Sequence, residues 1–269
     1  MQKGSLTFIG LGLYDEKDLP AKGLEIIKES DIILAEFYTA KLVGTTFEKM
    51  EKLYGKKIKI LDRAQTEKGD IVLDSALSQN IVFLTAGDSM TATTHVDLRI
   101  RAEKKGIKTK VVHGSSIVTA VPGLLGLQNY KFGRTTTLAY PEKEYFPTSP
   151  YDVIRDNKKM GLHTMVLLDI QEDKNRYMTA NEAIDLLLEM EDIKKEKLIS
   201  EESIVCVVAR AGSEEPVIRA DSIKSLKKLD FGEPLHTIVI PGKLHFMEIE
   251  ALLELAQLPA YLGEKLQKI

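Results

Sequence analysis

Short apolar runs alternate along the chain with longer stretches in which apolar residues recur every three or four positions. The runs LTFIG, DIILAEFY, KKIKILDR, NIVFLTAGD and IKTKVVHG are rich in β-branched and aromatic side chains and predict strands. Between them, LPAKGLEIIKE, TTFEKMEKLYG, KGDIVLDSALSQ and SMTATTHVDLRIRAEKKG have helical spacing, with Gly55 and Gly106 placed to end two of the helices. Asp18 is the expected N-cap of the first helix. Pro20 falls in its first turn, where a missing N–H costs nothing. Near-continuous apolar strands separated by helices predict a parallel sheet covered on both faces.

The pattern changes after about Ser116. SSIVTAVPGLLGLQNYKFG has small residues, Pro122 and several glycines, and reads as a helix followed by a segment crossing between domains. Beyond it TTTLAYP, HTMVLLDIQ, SIVCVVARAG, PVIRAD and HTIVIPG predict strands. SPYDVIRDNKKMG, TANEAIDLLLEMEDIKKEK, SIKSLKKL and a last segment, HFMEIEALLELAQL, predict helices. Thr179 and Glu182 have the spacing of a capping box, in which each satisfies an orphan N–H of the first turn. The fold class is therefore α/β, with two α/β domains: residues 1–115 around a parallel sheet and residues 116–269 around a mixed one.

Composition narrows the function classes. A length of 269 residues suits one or two domains. The net charge of −3, from 37 basic and 40 acidic residues, lacks the basic surplus of a binder of nucleic acid or anionic membrane. No apolar stretch approaches the roughly 20 residues of a membrane span. The opening MQKGSLTFIG runs straight into a strand without the apolar core of a signal peptide. Cys206 is the single cysteine, set in the strand pattern SIVCVVAR, so it forms no internal disulfide and reads as a small buried apolar residue. Together these features predict a cytoplasmic protein. His95, His113, His163, His236 and His245 show no metal-ligand spacing.

Three strand ends carry the candidate chemistry. In IGLGLYDEKD, Gly10 and Gly12 fit a dinucleotide fingerprint, but Asp15 takes the third glycine position and Glu16 follows. Two carboxylates there would repel a pyrophosphate, and no Walker lysine exists. In a dinucleotide fold Glu36 would be the ribose acid. In LTAGDSMTATTH, Asp88 suits ribose hydroxyls or a cation, or else Asp88 or Ser89 simply caps the next helix. In VVHGSSIV, backbone N–H groups and two serines suit a small polar ligand, or again a helix cap. Each turn alone leaves both readings open. Taken together they share one edge of a parallel sheet, the edge at which open α/β sheets bind ligands. In the second half LLDIQ, ARAGSEEP and PLHTIVIPGKLHF are strands flanked by Gly, Pro or ionisable groups. There His236, at a strand start, fits an ordinary half-exposed histidine.

Taken in order, the segments IGLGLYDEKDLPAKGLEIIKESD, AEFYT, GDSMTATTHVDLRIRA, YKFG, AYPEKEYFPTSPYDVI, GLHTMVLLDI, YMTANEA, ARAGS and IVIPGKLH resemble the diphthine synthases. These belong to the tetrapyrrole-methylase class of S-adenosylmethionine-dependent methyltransferases. The resemblance spans essentially the whole chain. FPTS-x-YDVI and MTANEA are its most specific parts, and the compact length resembles archaeal members. It implies a bilobal fold with S-adenosylmethionine in the cleft between lobes, unlike Rossmann-type methyltransferases. It also implies methylation, three times over, of the α-amino group of 2-(3-amino-3-carboxypropyl)histidine in translation elongation factor 2, with a homodimer as the working form.

Carried over position by position, the cofactor contacts implied are Leu13, Asp88, Thr91, Ser116 and Ile117 in the first half. Those in the second half are Leu168, Ala211 and His236. This chain departs from the wider pattern at Ser89, where proline is usual, at Thr91, where valine is frequent, and at His113-Gly114, where small residues or proline are usual. No catalytic residue is assigned. A good leaving group on the donor means that the protein must chiefly hold an unprotonated amine in line and exclude water. A pocket edge with aromatic or acidic groups suits the growing cation. By that reasoning Tyr14, Asp15, Glu36, Tyr38 and Tyr140 are candidates. The competing readings are a tetrapyrrole or RNA methyltransferase of the same fold, and a non-catalytic elongation-factor-binding protein. The absent basic surplus disfavours RNA and the full-length match disfavours a tetrapyrrole.

Overall fold

The computed structural model describes residues 4–142 and 145–267, so Lys143 and Glu144 of the AYPEKEYFPTSPYDVI segment lie outside the described residues. The chain divides into two compact units. The first is the chain up to Ile117, with Glu172–Lys174 and Gly212–Glu214. The second is Val118–Gln171, Asn175–Ala211 and the chain from Glu215.

In the first unit the elements are β1 (Ser5–Gly10), α1 (Ala21–Glu29), β2 (Ile32–Glu36), α2 (Phe47–Tyr54), β3 (Ile58–Ile60), α3 (Arg63–Lys68), α4 (Asp70–Ala76), β4 (Asn80–Thr85), α5 (His95–Lys104) and β5 (Lys108–Val112). The five strands run parallel in the order β3-β2-β4-β1-β5. Side chains alternate across the sheet, as strand geometry requires. Leu6 and Phe8 of β1 join one buried cluster with Val72, Leu73 and Leu98 of α4 and α5. Ile9 joins the opposite cluster with Ile27 and Tyr54 of α1 and α2. Covered on both faces, the strands are as apolar as the sequence pattern demands.

Three local expectations are corrected. Pro20, not Asp18, stands at the N-cap of α1, because Asp18 ends a 3₁₀ turn (Glu16–Asp18) and turns its carboxylate back onto the preceding loop. Helix α5 starts at His95, with Thr94 before it, so neither Asp88 nor Ser89 caps it. Helix α3 was not expected. Its N-cap Asp62 and Gln65 form a capping box directly after β3.

Helix α6 (Ile117–Leu125) carries the chain into the second unit. There follow β6 (Thr136–Leu138), α7 (Ser149–Lys159), β7 (Thr164–Leu168), β8 (Ile170–Gln171), β9 (Arg176–Tyr177), α8 (Ala180–Lys194), β10 (Ile204–Ala209), β11 (Val217–Ser222), α9 (Ile223–Leu226), β12 (His236–Ile240), α10 (Phe246–Leu255) and α11 (Ala260–Gln267). The sheet order is β11-β10-β12-β7-β6, antiparallel except for the β6–β7 pair, hence mixed. The capping box of α8 forms as expected: Glu182 N donates to Thr179 Oγ1 at 3.2 Å, and Thr179 N donates to Glu182 Oε2 at 2.8 Å. Cys206 is fully buried and burial pushes its thiol up to about 12. HFMEIEALLELAQL is not the last element, because α11 follows it after Pro259.

Candidate functional site

Strands β4, β1 and β5 are neighbours, so the loops leaving their carboxyl ends meet at one edge. They meet main chain to main chain. Gly12 and Gly87 form an antiparallel bridge, Gly12 N donating to Gly87 O at 3.2 Å and Gly87 N to Gly12 O at 2.6 Å. A Cβ on Gly10 would stand 2.5 Å from Gly87 O and 2.6 Å from Gly114 N. A Cβ on Gly87 meets nothing within 4 Å, so its main chain borders open space at this edge. Glycine is needed there on conformational grounds too, at φ +73°.

Asp18 holds the first loop. Its Oδ2 accepts from Leu13 N at 3.1 Å and Tyr14 N at 2.7 Å. Gly212, returning to the first unit, lies against Leu13 and Tyr14: a Cβ on it would be 2.8 Å from Leu13 Cβ and 3.1 Å from Tyr14 Cβ. Leu13 and Gly212 are thus brought together within the first unit. Asp18→Ala leaves two amides without their acceptor and is expected to cost about 1–3 kcal/mol. Urea denaturation measures it, and an unchanged midpoint would show that water replaces the carboxylate without loss.

In the second loop Asp88 is 6% exposed. Its Oδ1 accepts from Met90 N at 2.9 Å and Thr91 Oγ1 at 3.3 Å, while Oδ2 lies 2.7 Å from His113 Nδ1 of the third loop. Ser89 is fully buried, and its Oγ has no hydrogen-bond partner among the described residues. Ser116 is buried just before α6, which Ile117 begins. Leu13, Asp88, Thr91, Ser116 and Ile117 therefore all belong to the three carboxyl-edge loops or their ends.

Leu168, Ala211 and His236 gather at one edge of the second sheet. Ala209 pairs with His236 and Thr237 with Leu167, which sets Leu168 and the Ala211 turn on either side of the β12 start. His236 is 6% exposed rather than half-exposed. Its Nδ1 accepts from Ala180 N at 3.1 Å, so Nε2 carries the proton and donates to Glu233 O at 3.1 Å. Burial holds this imidazole below its usual value. With both nitrogens engaged, His236 offers a ligand its main chain or ring face.

The amine-pocket candidates are placed less favourably. Glu36 is fully buried. Its carboxylate accepts from Thr39 Oγ1 at 2.6 Å and Thr39 N at 3.1 Å, and lies 3.4 Å from His95 Nε2. Burial raises the Glu36 carboxyl and lowers the His95 imidazole, and His95 Nδ1–H donates to Ser89 O at 3.0 Å, tying down the Asp88 loop. Asp15 accepts from Lys17 N. The rings of Tyr38 and Tyr140 already carry guanidinium groups, of Arg63 at 5.2 Å and Arg176 at 3.4 Å. The roles of Asp18, His95 and His113 were missed in the sequence, since no local pattern names their partners.

The model of the tetrapyrrole (corrin/porphyrin) methylases matches residues 5–227, and the chain belongs to this family. Within it the chain is similar to diphthine synthases. It is 53% identical over 265 residues to that of Methanosarcina acetivorans, covering 97% of this chain and 99% of the relative. It is 54% identical to that of Methanocella arvoryzae, covering 94% and 98%. A solved diphthine synthase structure superposes with a TM-score of 0.87 at 40% identity, over 96% of this chain and 98% of that one.

Proposed function

We propose that this chain is a diphthine synthase, an S-adenosylmethionine-dependent N-methyltransferase acting on the 2-(3-amino-3-carboxypropyl)histidine of translation elongation factor 2. The observation that carries the reading is the glycine-lined edge where the β1, β4 and β5 loops meet, in a chain similar to diphthine synthases from end to end. The residues fit the cofactor. The open space beside Gly87 admits a ligand to the main chain, and carboxylates at this edge suit a sulfonium cation and exclude a pyrophosphate. By the resemblance, the residues that would hold it are Leu13, Asp88, Thr91, Ser116, Ile117, Leu168, Ala211 and His236. When bound, it supplies a methyl group on a good leaving group. The chain supplies placement: Asp18 fixes the Leu13 and Tyr14 amides, and His95 fixes the Asp88 loop.

The same reading makes the product the trimethylated amine, the working form a homodimer and the compartment the cytoplasm, with neither nucleic acid nor membrane as partner. No helix among the described residues is long and apolar enough to cross a membrane. The test is incubation with elongation factor 2 bearing the unmethylated intermediate and the methyl donor, read by mass spectrometry of the modified peptide. Up to three methyl increments are expected. Tight S-adenosylhomocysteine binding in calorimetry without any mass gain would refute this substrate.

A further inference from the structure

The hydrogen bond between Asp88 and His113 has the form of a base held by a carboxylate. A carboxylate oxygen only accepts, so the 2.7 Å contact of Oδ2 fixes the proton of the neutral imidazole on Nδ1 and leaves the lone pair on Nε2. The carboxylate side chain is 6% exposed and the imidazole 74% exposed. The dyad is thus anchored at its inner end and presents its basic end outward. Its mount is rigid. Asp88 is fixed through Oδ1 by Met90 N and Thr91 Oγ1, and His113 directly precedes Gly114, which is wedged against Gly10 and Gly87.

The other histidines are spent differently. His95 Nδ1 donates to Ser89 O inside the fold. His163 and His236 use both ring nitrogens, and His245 caps α10.

We propose that His113 is the general base of the methyl transfer, with Asp88 as its positioning residue. This inference rests on the N-methyltransferase reading. An alkylamine is protonated near neutral pH and has no lone pair to attack with. After each of the first two transfers the nitrogen again carries a proton that must leave. In the step assigned to His113 an N–H bond of the ammonium breaks, its electron pair stays on nitrogen, and the proton forms Nε2–H. The imidazolium is paired with the Asp88 carboxylate until it passes the proton to water. The ionic partner of this imidazole among the described residues is Asp88, whose own carbonyl accepts from Thr91 N at 3.2 Å and so helps to hold the loop.

The test uses the full chain and His113→Asn, whose amide nitrogen stands where Nδ1 stood. It can donate to Asp88 but accepts no proton in place of Nε2. S-adenosylhomocysteine affinity by calorimetry is expected within about threefold of wild type, while kcat for methyl transfer falls about 10²- to 10⁴-fold at unchanged KM for the donor. In His113→Ala, added imidazole restores part of the rate. Without any ligand, imidazole nitrogen shifts should show the Nδ1–H tautomer at His113, lost in Asp88→Asn. Turnover of His113→Asn at the wild-type rate overturns the proposal, as does an Nε2–H tautomer in the wild type. Loss of S-adenosylhomocysteine binding in His113→Asn also overturns it, by making His113 part of the cofactor seat. Wild-type protein that binds no S-adenosylhomocysteine would instead overturn the methyltransferase reading, and the tautomer measurement would still decide the dyad.

Discussion

Replacing Glu248 with alanine is expected to destabilise the protein by about 3–5 kcal/mol, the cost of removing one partner from a buried ionic cluster. Glu248 is fully buried in α10. Its Oε1 accepts from Gln128 N at 2.9 Å and His163 Nε2 at 3.0 Å. Its Oε2 accepts from His245 N at 2.8 Å and from Lys131 Nζ. His163 Nδ1 accepts from Gly242 N at 2.9 Å, so the imidazole is neutral with its proton on Nε2, directed at the carboxylate. The YKFG, GLHT and IVIPGKLH segments therefore converge on one side chain. These donors hold the Glu248 carboxyl at about 2 against a burial that alone would raise it.

A depressed carboxylate contributes stability that is present above its unfolded value near 4.5 and is lost as pH falls towards 2. The shift corresponds to about 3 kcal/mol. His163 is lowered by burial, so its contribution already begins to fade as pH falls through the ordinary histidine range. Glu36, raised by burial, acts oppositely and loses its contribution as pH rises through its folded value. Chemical denaturation at a series of pH values should give a stability that declines with acid in wild type. In Glu248→Ala the stability should be lower and flatter below pH 4.5. A variant within about 1 kcal/mol of wild type at neutral pH would show that the cluster is replaceable by water.

The edge on which the first unit's loops meet was legible in the sequence, because parallel strands buried on both faces are near-continuous apolar runs and their ends show as abrupt Gly, Ser and Asp. The boundary of α5 was not. The Ser/Thr-rich stretch after Asp88 contains no breaker, yet Ala92 takes φ +56° and Thr93 Oγ1 and His95 Nδ1 both bond Ser89 O, which delays the helix to His95. Nor were the polar partnerships that hold the loops. Asp88 and His113 are 25 positions apart and meet across the end of β1, which lies between β4 and β5. His163 and Glu248 are 85 apart. Periodicity reports which face of an element is buried, whereas such pairs depend on the order of strands, which periodicity does not carry. The capping box of Thr179 and Glu182 is legible in the sequence because both partners lie within one helical turn.

Alanine at Gly10 or Gly114 is expected to abolish cofactor binding or reduce it by about 100-fold or more, the effect of an ångström-scale displacement in a site built on close main-chain approach. At Gly114 the added carbon would fall 2.6 Å from the carbonyl carbon of Gly10 and into Gly87 O; at Gly10 it would fall on Gly87 O and Gly114 N. Every obstacle is backbone, so no rotamer change relieves the overlap and the loops after β1, β4 and β5 must separate. Overpacking of this kind costs about 1–3 kcal/mol or more in stability. That would also break the Gly12–Gly87 bridge and shift the Asp88–His113 pair. Two controls separate the clash from the loss of glycine as such. Gly123, inside α6, has open space around a built Cβ, so Gly123→Ala should be neutral or stabilise by up to about 1 kcal/mol. Gly55 also has open space but sits at φ +70°, so Gly55→Ala should cost about 1 kcal/mol with cofactor affinity unchanged. Calorimetry with S-adenosylhomocysteine on all four variants reads the difference. If Gly114→Ala bound within about threefold of Gly123→Ala, the three loops would have slack that main-chain packing this close does not allow, and the cofactor would have to lie elsewhere.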